Sequence, residues 1–271
     1  GFYFFNEKAI FPSAVKYSAT GEIWAGTNFQ GLLKSRNPFD TDQMLIEGPS
    51  STKAFRLNYS FDEIYVSGGG HSDIQVRTNT PAEVSVFNGS EWTNFNDRTT
   101  TALEGLQDIL NVSFNPVNQE ELAAASMNNG VIIFENDAVK NVYGFENSPL
   151  EEQGNTGATF VTGVQYDAEG NLWMSNSLTE NPIKVLTAEG AWITYANGDG
   201  GGSPVTNQIL VTSNNQVWQN RPGAGIYVLG HNGTLNDFSD DDFLVIQEGG
   251  GNGALASNDV TAMAEDNDGN V

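Results

Sequence analysis

The sequence predicts an all-β protein, a β-propeller of four-stranded antiparallel blades, and three observations predict it. Short apolar bursts of strand length recur along the chain, separated by turns rich in Gly, Asn and Asp. Residues 161–195, VTGVQYDAEGNLWMSNSLTENPIKVLTAEGAWITY, hold four such bursts, at 161–166, 171–175, 183–186 and 191–195. Strands this short, joined by Gly-containing turns, form an antiparallel meander and not βαβ units, and four of them make one blade. The same order of features returns along the chain, and no segment has convincing 3.6-residue periodicity. Residues 101–108 have room for one helical turn at most.

Within a blade the strands are named A to D from inner to outer. Gly1-Phe2-Tyr3-Phe4-Phe5 matches Gly130-Val131-Ile132-Ile133-Phe134 and Gly225-Ile226-Tyr227-Val228-Leu229, a Gly followed by an apolar run, and all three read as strand C. Residues 6–11 then read as strand D, so the chain starts halfway through a blade. The first complete blade takes 14–17, 22–25, 31–34 and 43–46. The second takes 55–57, 63–67, 83–87 and 91–95, with a long polar B–C connection at 68–82. The third takes 109–114, 121–126, 130–134 and 141–145, and the fourth is the stretch above. The fifth takes 208–211, 216–219, 225–229 and 243–247, with an acidic insertion at 236–242. A sixth begins with 260–264 and stops at Val271, where its strand B would start. The expectation is a single propeller domain over 1–271, or a fragment of one. It has five complete blades and two complementary half-blades, and belongs to a parent of six or seven blades.

Trp24, Tyr65, Ala123, Trp173 and Trp218 fall at one position of the B strands. Face-to-face sheets need bulky filler, so Trp24, Trp173 and Trp218 are expected between blades. Innermost strands crowd together, which suits Ala14, Gly163 and Ala262. Trp92 and Trp192, just after C–D turns, are expected as partly exposed covers of the outer edge.

Net charge is −23, from 34 acidic residues against 11 Lys and Arg. Phosphate recognition needs clustered cations, which excludes nucleic acid as a partner. No apolar run reaches the length of a membrane span. Cysteine is absent, which removes disulfides, thiolate catalysis and cysteine–metal sites.

No residue set carries a recognisable reaction. His71 follows Gly68-Gly69-Gly70 and precedes Asp73, but the other histidine, His231, lies in a distant C–D turn, and no G-x-S-x-G or H-E-x-x-H is present. Both read as surface-loop residues. Asp266-Asn267-Asp268-Gly269-Asn270 has the look of a calcium loop, yet its Gly is fourth instead of sixth, and an A–B turn demands the same residue types. Asp240-Asp241-Asp242 reads as a solvated loop, and the Gly runs at 200–202 and 249–251 as blade connections. No catalytic residue, metal ligand or cofactor is expected, and no binding residue stands out from the turn residues.

The tail Leu255-Ala256-Ser257-Asn258-Asp259-Val260, followed by an apolar segment and Asp266-Asn267-Asp268-Gly269-Asn270, resembles the two-component-regulator propeller repeat. Asp167-Ala168-Glu169-Gly170-Asn171-Leu172-Trp173 is a second copy and Thr20-Gly21-Glu22-Ile23-Trp24 a third. The copy at Ser213-Asn214-Asn215-Gln216-Val217-Trp218 lacks the Gly, and blades two and three are more degenerate. The succession Asn171-Leu172-Trp173, Asn181-Pro182-Ile183, Gly190-Ala191-Trp192, Gly223-Ala224-Gly225-Ile226 and Asn232-Gly233-Thr234-Leu235 is similar to PorZ-like proteins of the type IX secretion system. That resemblance implies a longer, exported parent, periplasmic or on the outer cell surface. It implies a non-enzymatic module that recognises a protein partner of the secretion machinery or a surface polysaccharide. The loops at 68–82, 99–107, 150–160 and 249–258 are the expected recognition surfaces. One rival is the oligosaccharide-sensing ectodomain of a hybrid two-component regulator. Another is a propeller glycan lyase or hydrolase, which needs a His, Tyr or carboxylate cluster at the axial mouth.

Overall fold

A computed structural model describes residues 3–5, 8–10, 12–27, 31–37, 40–44, 48–72, 76–198, 204–249, 251 and 255–271. The chain divides into two compact units, 1–48 and 49–271. The first unit holds the hairpin β1 (Tyr3–Phe5) and β2 (Lys8–Ile10). It also holds blade 1, β3 (Pro12–Tyr17), β4 (Ile23–Thr27), β5 (Leu32–Asn37) and β6 (Asp40–Met44).

The second unit holds four sheets, each with its strands paired antiparallel in chain order. Blade 2 is β7 (Arg56–Ser60), β8 (Glu63–Ser67), β9 (Glu83–Phe87) and β10 (Trp92–Asn96). Blade 3 is β11 (Ile109–Phe114), β12 (Glu121–Ser126), β13 (Gly130–Glu135) and β14 (Ala138–Tyr143). Blade 4 is β15 (Val161–Tyr166), β16 (Leu172–Asn176), β17 (Ile183–Leu186) and β18 (Trp192–Tyr195). Blade 5 is β19 (Ile209–Val211), β20 (Gln216–Arg221), β21 (Gly225–Gly230) and β22 (Asp242–Ile246). The only helix among the described residues is a 3-10 turn at Thr101–Leu103, inside the one segment with room for it.

The Asp-x-x-Gly-Asn-x-Trp pattern is a turn built around one carboxylate. Asp167 accepts the backbone N–H of Glu169 at 3.1 Å and of Asn171 at 2.8 Å, the Asn171 side-chain amide at 2.9 Å and the Trp173 indole N–H at 2.9 Å. Gly170 supplies the left-handed conformation, φ +86°, that closes the hairpin. Asp266 repeats this, accepting the N–H of Asp268 and Asn270 at 2.9 Å each, with Gly269 at φ +80°. In blade 5 Thr212 replaces the Asp and Asn215, at φ +62°, replaces the Gly. With no carboxylate there, the Trp218 indole donates to Gln216 instead, at 3.2 Å.

The Gly that opens strand C has a separate cause. Gly130 and Gly225 sit at φ +86° and +84°, and a Cβ on either would collide with the carbonyl oxygen of Tyr143 or Ile246 on strand D.

Several bounds differ from expectation: strand D of blade 1 is Asp40–Met44, not 43–46, and strand A of blade 2 is Arg56–Ser60, not 55–57. Strand D of blade 3 is Ala138–Tyr143, not 141–145, because Asn136 and Asp137, at φ +51° and +61°, form a two-residue hairpin turn. Residues 260–264 form no strand, because no described segment pairs with them in a ladder.

Cores form between blades. Trp173 is fully buried, among Val185 and Tyr195 of its own blade and Ile209, Val217 and Tyr227 of the next. Tyr65 packs with Ile109, Val112 and Ala124, and Ala123 with Val161 and Val164. Trp218 is half-buried against Leu210, Val228, Val260 and Met263, and Trp24 is half-buried with the Lys34 ammonium 5.4 Å from its ring centre. The small-residue expectation holds at Gly163, whose Cβ would lie 2.7 Å from the Asn207 oxygen and 2.8 Å from the Ile209 nitrogen. It fails at Ala14 and Ala262, which are exposed.

Innermost strands of neighbouring blades are too far apart for a backbone ladder, and side-chain amides fill the gap. Asn111 exchanges two hydrogen bonds with the backbone of Val164, at 3.0 and 3.2 Å. Gln165 does the same with Val211, at 2.9 and 3.1 Å, and Gln208 with Met263, at 2.8 and 3.0 Å. An amide carries one donor and one acceptor side by side, as a peptide group does. Gln165→Leu strands the N–H and C=O of Val211, and about 2 kcal/mol of stability is expected to be lost in urea unfolding, since each unmade buried bond costs about 1 kcal/mol or more. Gln165→Glu, which keeps only the acceptor, is expected to lose as much or more.

Candidate functional site

The expected recognition loops are anchored more tightly than their composition implies. In the 68–82 connection Gly68, Gly69 and Gly70 are buried. Gly69 donates its N–H to Ile109 at 2.9 Å. The fully buried carboxylate of Asp108 accepts from the Thr78 hydroxyl at 2.8 Å and from the backbone of Asn79 and Thr80 at 2.8 and 2.9 Å. Arg77 donates to Asn128 and lies 5.9 Å from the Phe160 ring. His71 stands edge-on to Phe55 at 5.0 Å, and its Nδ1 bonds the Ser72 carbonyl. Asp73 lies outside the described residues. The connection is a strap across blades 2 and 3.

Loop 150–160 is anchored by an ion pair. Lys184, fully buried on β17, meets Glu151 at 2.5 Å, and Glu151 also accepts from Asn181 at 2.9 Å. Burial pushes the Lys184 ammonium below its ordinary pKa despite Glu151. Glu151→Gln removes the counter-charge of a buried ammonium, so roughly 2 kcal/mol of stability is expected to go, discounted from the value for fully buried pairs because Glu151 is partly exposed. The exposed described residues of the loops at 68–82, 99–107 and 150–160 are Ser72, Val76, Thr78, Asn79 and Pro81, then Thr99, Thr101, Ala102, Glu104 and Gly105, and 154–157. Residues 250 and 252–254 of loop 249–258 lie outside the described residues.

An apolar cluster adjoins the starts of inner strands β7, β11 and β15. Phe55, Leu110, Met127, Ala158, Phe160 and Leu178 pack there. His231 is also not a surface residue. It is 5% exposed, its ring 5.1 Å from that of Trp173, because the 231–242 insertion folds back and lays Phe238 on Tyr195. Burial lowers its pKa, against the pull of Asp167, Glu169 and Asp240. The Asp266 carboxylate is engaged by its own turn, and among the described residues no group of three or more His, Asp or Glu could hold a metal ion.

A cleft of about 390 Å³ lies between blades 3 and 4. Its polar wall is Glu121, which accepts from Asn115 at 2.9 Å, Tyr166 at 2.8 Å and Lys140 at 3.3 Å, while Lys140 also reaches Glu135 at 2.6 Å. Its apolar wall is Trp192, set edge-to-face against Tyr143 at 5.4 Å and 81°. Trp192 therefore covers an edge, as expected, but the edge is a cleft shared with the preceding blade. Nothing in a single blade's sequence announces this, because the two walls come from different repeats.

Burial would raise the Glu121 and Glu151 carboxyls, but their donors outweigh it and both lie below the ordinary glutamate value. A lowered folded-state pKa contributes stability above the unfolded value of about 4.3, and that stability is lost as pH falls through the folded value. The double variant Glu121→Gln, Glu151→Gln is expected to flatten the decline of melting temperature below about pH 4.3. An unchanged slope would contradict the assignment.

A second cavity, about 340 Å³, is lined by the inner strands β7, β11, β15 and β19. Its wall includes Arg56, Asn58, Asn111, Ser113, Gln165 and Gln208.

No protein-family model matches the chain, and no curated protein matches it in sequence. Solved structures do. PorZ, a surface component of the type-IX secretion system of Porphyromonas gingivalis, superposes with a TM-score of 0.78 at 19% identity, over 97% of this chain and 38% of PorZ. The fold is a β-propeller. The extracellular domain of a putative one-component system from B. thetaiotaomicron follows at a TM-score of 0.54 and 14% identity, over 96% of this chain and 36% of that one. The PorZ resemblance read in the sequence is thus matched in fold, and this chain spans less than two fifths of either structure. Both are surface or extracellular proteins, and no helix among the described residues is long and apolar enough to cross a membrane.

Proposed function

We propose that this propeller is a non-catalytic binding module of an exported, type IX secretion-associated protein, working in the periplasm or at the outer cell surface. It recognises a protein partner of the secretion machinery or a surface glycan. The observation that carries the reading is the match to PorZ across nearly the whole chain. The anchored loops and the Trp192–Tyr143 cleft support it, since rigid presentation lowers the entropy lost on binding. The match to a sensor ectodomain favours one second reading, oligosaccharide sensing, which predicts a downstream transmembrane helix and signalling domain in the parent.

The test is binding of the purified chain to envelope fractions and polysaccharides of the organism that makes it. Trp192→Ala is expected to weaken binding roughly tenfold, the loss of one aromatic contact of about 1.4 kcal/mol, with the chain still folded by circular dichroism at the assay temperature. Binding to neither fraction would overturn the reading. Turnover of any polysaccharide would overturn its non-catalytic part.

A further inference from the structure

The charge lining the inner well runs against the charge of the protein. The chain has 34 acidic residues and 11 Lys and Arg, yet no carboxylate lines the well and its one charged residue is Arg56. The other long polar side chains there are occupied, because Asn111, Gln165 and Gln208 each stitch one inner strand to the next. On β7 this device is missing. Asn58 keeps a buried side-chain oxygen with no hydrogen-bond partner. The half-buried Arg56 guanidinium has no hydrogen-bond or ion-pair partner among the described residues, and burial alone lowers its pKa. Arg56 and Asn58 face the same side of β7 with Ser60, since Asn58 pairs with Tyr65, which packs toward β11. Two residues along a strand put them about 6.6 Å apart.

We propose that this well binds a small carboxylate carrying a neighbouring hydroxyl. The carboxylate takes the fork of Arg56 in a bidentate pair, and the hydroxyl donates to Asn58 Oδ1. The volume, about 340 Å³, falls at the lower end of small-molecule sites and admits one such unit, not a polymer segment. Protein-wide repulsion of an anion fades beyond a Debye length of about 8 Å at physiological salt, while the contact with Arg56 is made inside it. A free hydroxy acid and a single acidic sugar present this same chemistry. The proposal stands apart from the partner reading above, which uses the outer cleft.

The experiment follows the arginine Nε–H signals of the intact chain in 1H–15N spectra while lactate, galacturonate or galactose is added. The expected result is a saturable shift of the Arg56 signal with lactate, galacturonate or both, and none with neutral galactose. A response to lactate alone marks a free acid as the ligand, and a response to galacturonate alone marks an acidic sugar. Arg56→Gln is expected to weaken binding roughly tenfold or more, and Arg56→Lys to weaken it less. Asn58→Leu is expected to remove the preference for lactate over acetate. No shift with either acid in the unsubstituted protein, an equal shift with galactose, or full binding by a folded Arg56→Gln would overturn the proposal.

Discussion

Gly69→Ala is expected to lower stability by about 3 kcal/mol, although the substitution adds a single methyl group. Gly69 is outside the left-handed region, so its backbone tolerates any residue, and the whole effect comes from contact. Its Cβ would collide with the Ile109 carbonyl oxygen, with Asp108 C and Ile109 N both at 2.6 Å. These are backbone atoms, and no rotamer change relieves them. Overpacking of this kind costs about 1–3 kcal/mol, and parting the strands also loses the Gly69–Ile109 hydrogen bond, about 1 kcal/mol more. The strap around Asp108 then opens, leaving a fully buried carboxylate without its donors. At this chain length the loss is a fall in melting temperature of about 5 °C. Gly89→Ala is the control. Gly89 has φ +91° but nothing within 4 Å, so it is expected to lose only about 1 kcal/mol. Equal melting of the two variants would remove the strap from the account.

Trp173→Ala is expected to cost about 4 kcal/mol, the range for a large aromatic deleted from a packed core. The indole is fully buried and stacked 5.6 Å from Tyr195, and it separates blades 4 and 5. Asp167→Ala is expected to cost about 3 kcal/mol, because it strands the indole N–H and the turn donors at once. The two residues share a hydrogen bond, so the double variant should lose less than the sum, by about 1 kcal/mol. Strict additivity in urea unfolding would mean that the Asp167 turn and the inter-blade core are independent. A lesser loss for Asp266→Ala is expected, since that turn is exposed.

Strand existence was legible because period-two apolar bursts and Gly or Asn turns are local properties. Residues 63–67, 83–87, 109–114, 121–126, 161–166 and 183–186 coincide with observed strands to the residue. The misplaced strand D of blade 3 turned on Asn136-Asp137, a tight turn without Gly that a longer polar connection hides. His231 was misread because its partner, Trp173, lies fifty-eight positions earlier in the preceding blade. The cleft was invisible for the same reason, its walls being Glu121 and Tyr143 on one repeat and Tyr166 and Trp192 on the next.

By itself, the sequence determined the all-β class, the four-strand repeat and the Asp-x-x-Gly-Asn-x-Trp turn, since each needs only residues within one hairpin. Tertiary structure alone decided which polar side chains are spent on stitching blades together and which are left over. Asn111, Gln165, Gln208 and Asn58 look alike as amides on inner strands. Only the spacing of neighbouring strands gives the first three a backbone to bond and leaves Asn58, beside Arg56, facing an empty well.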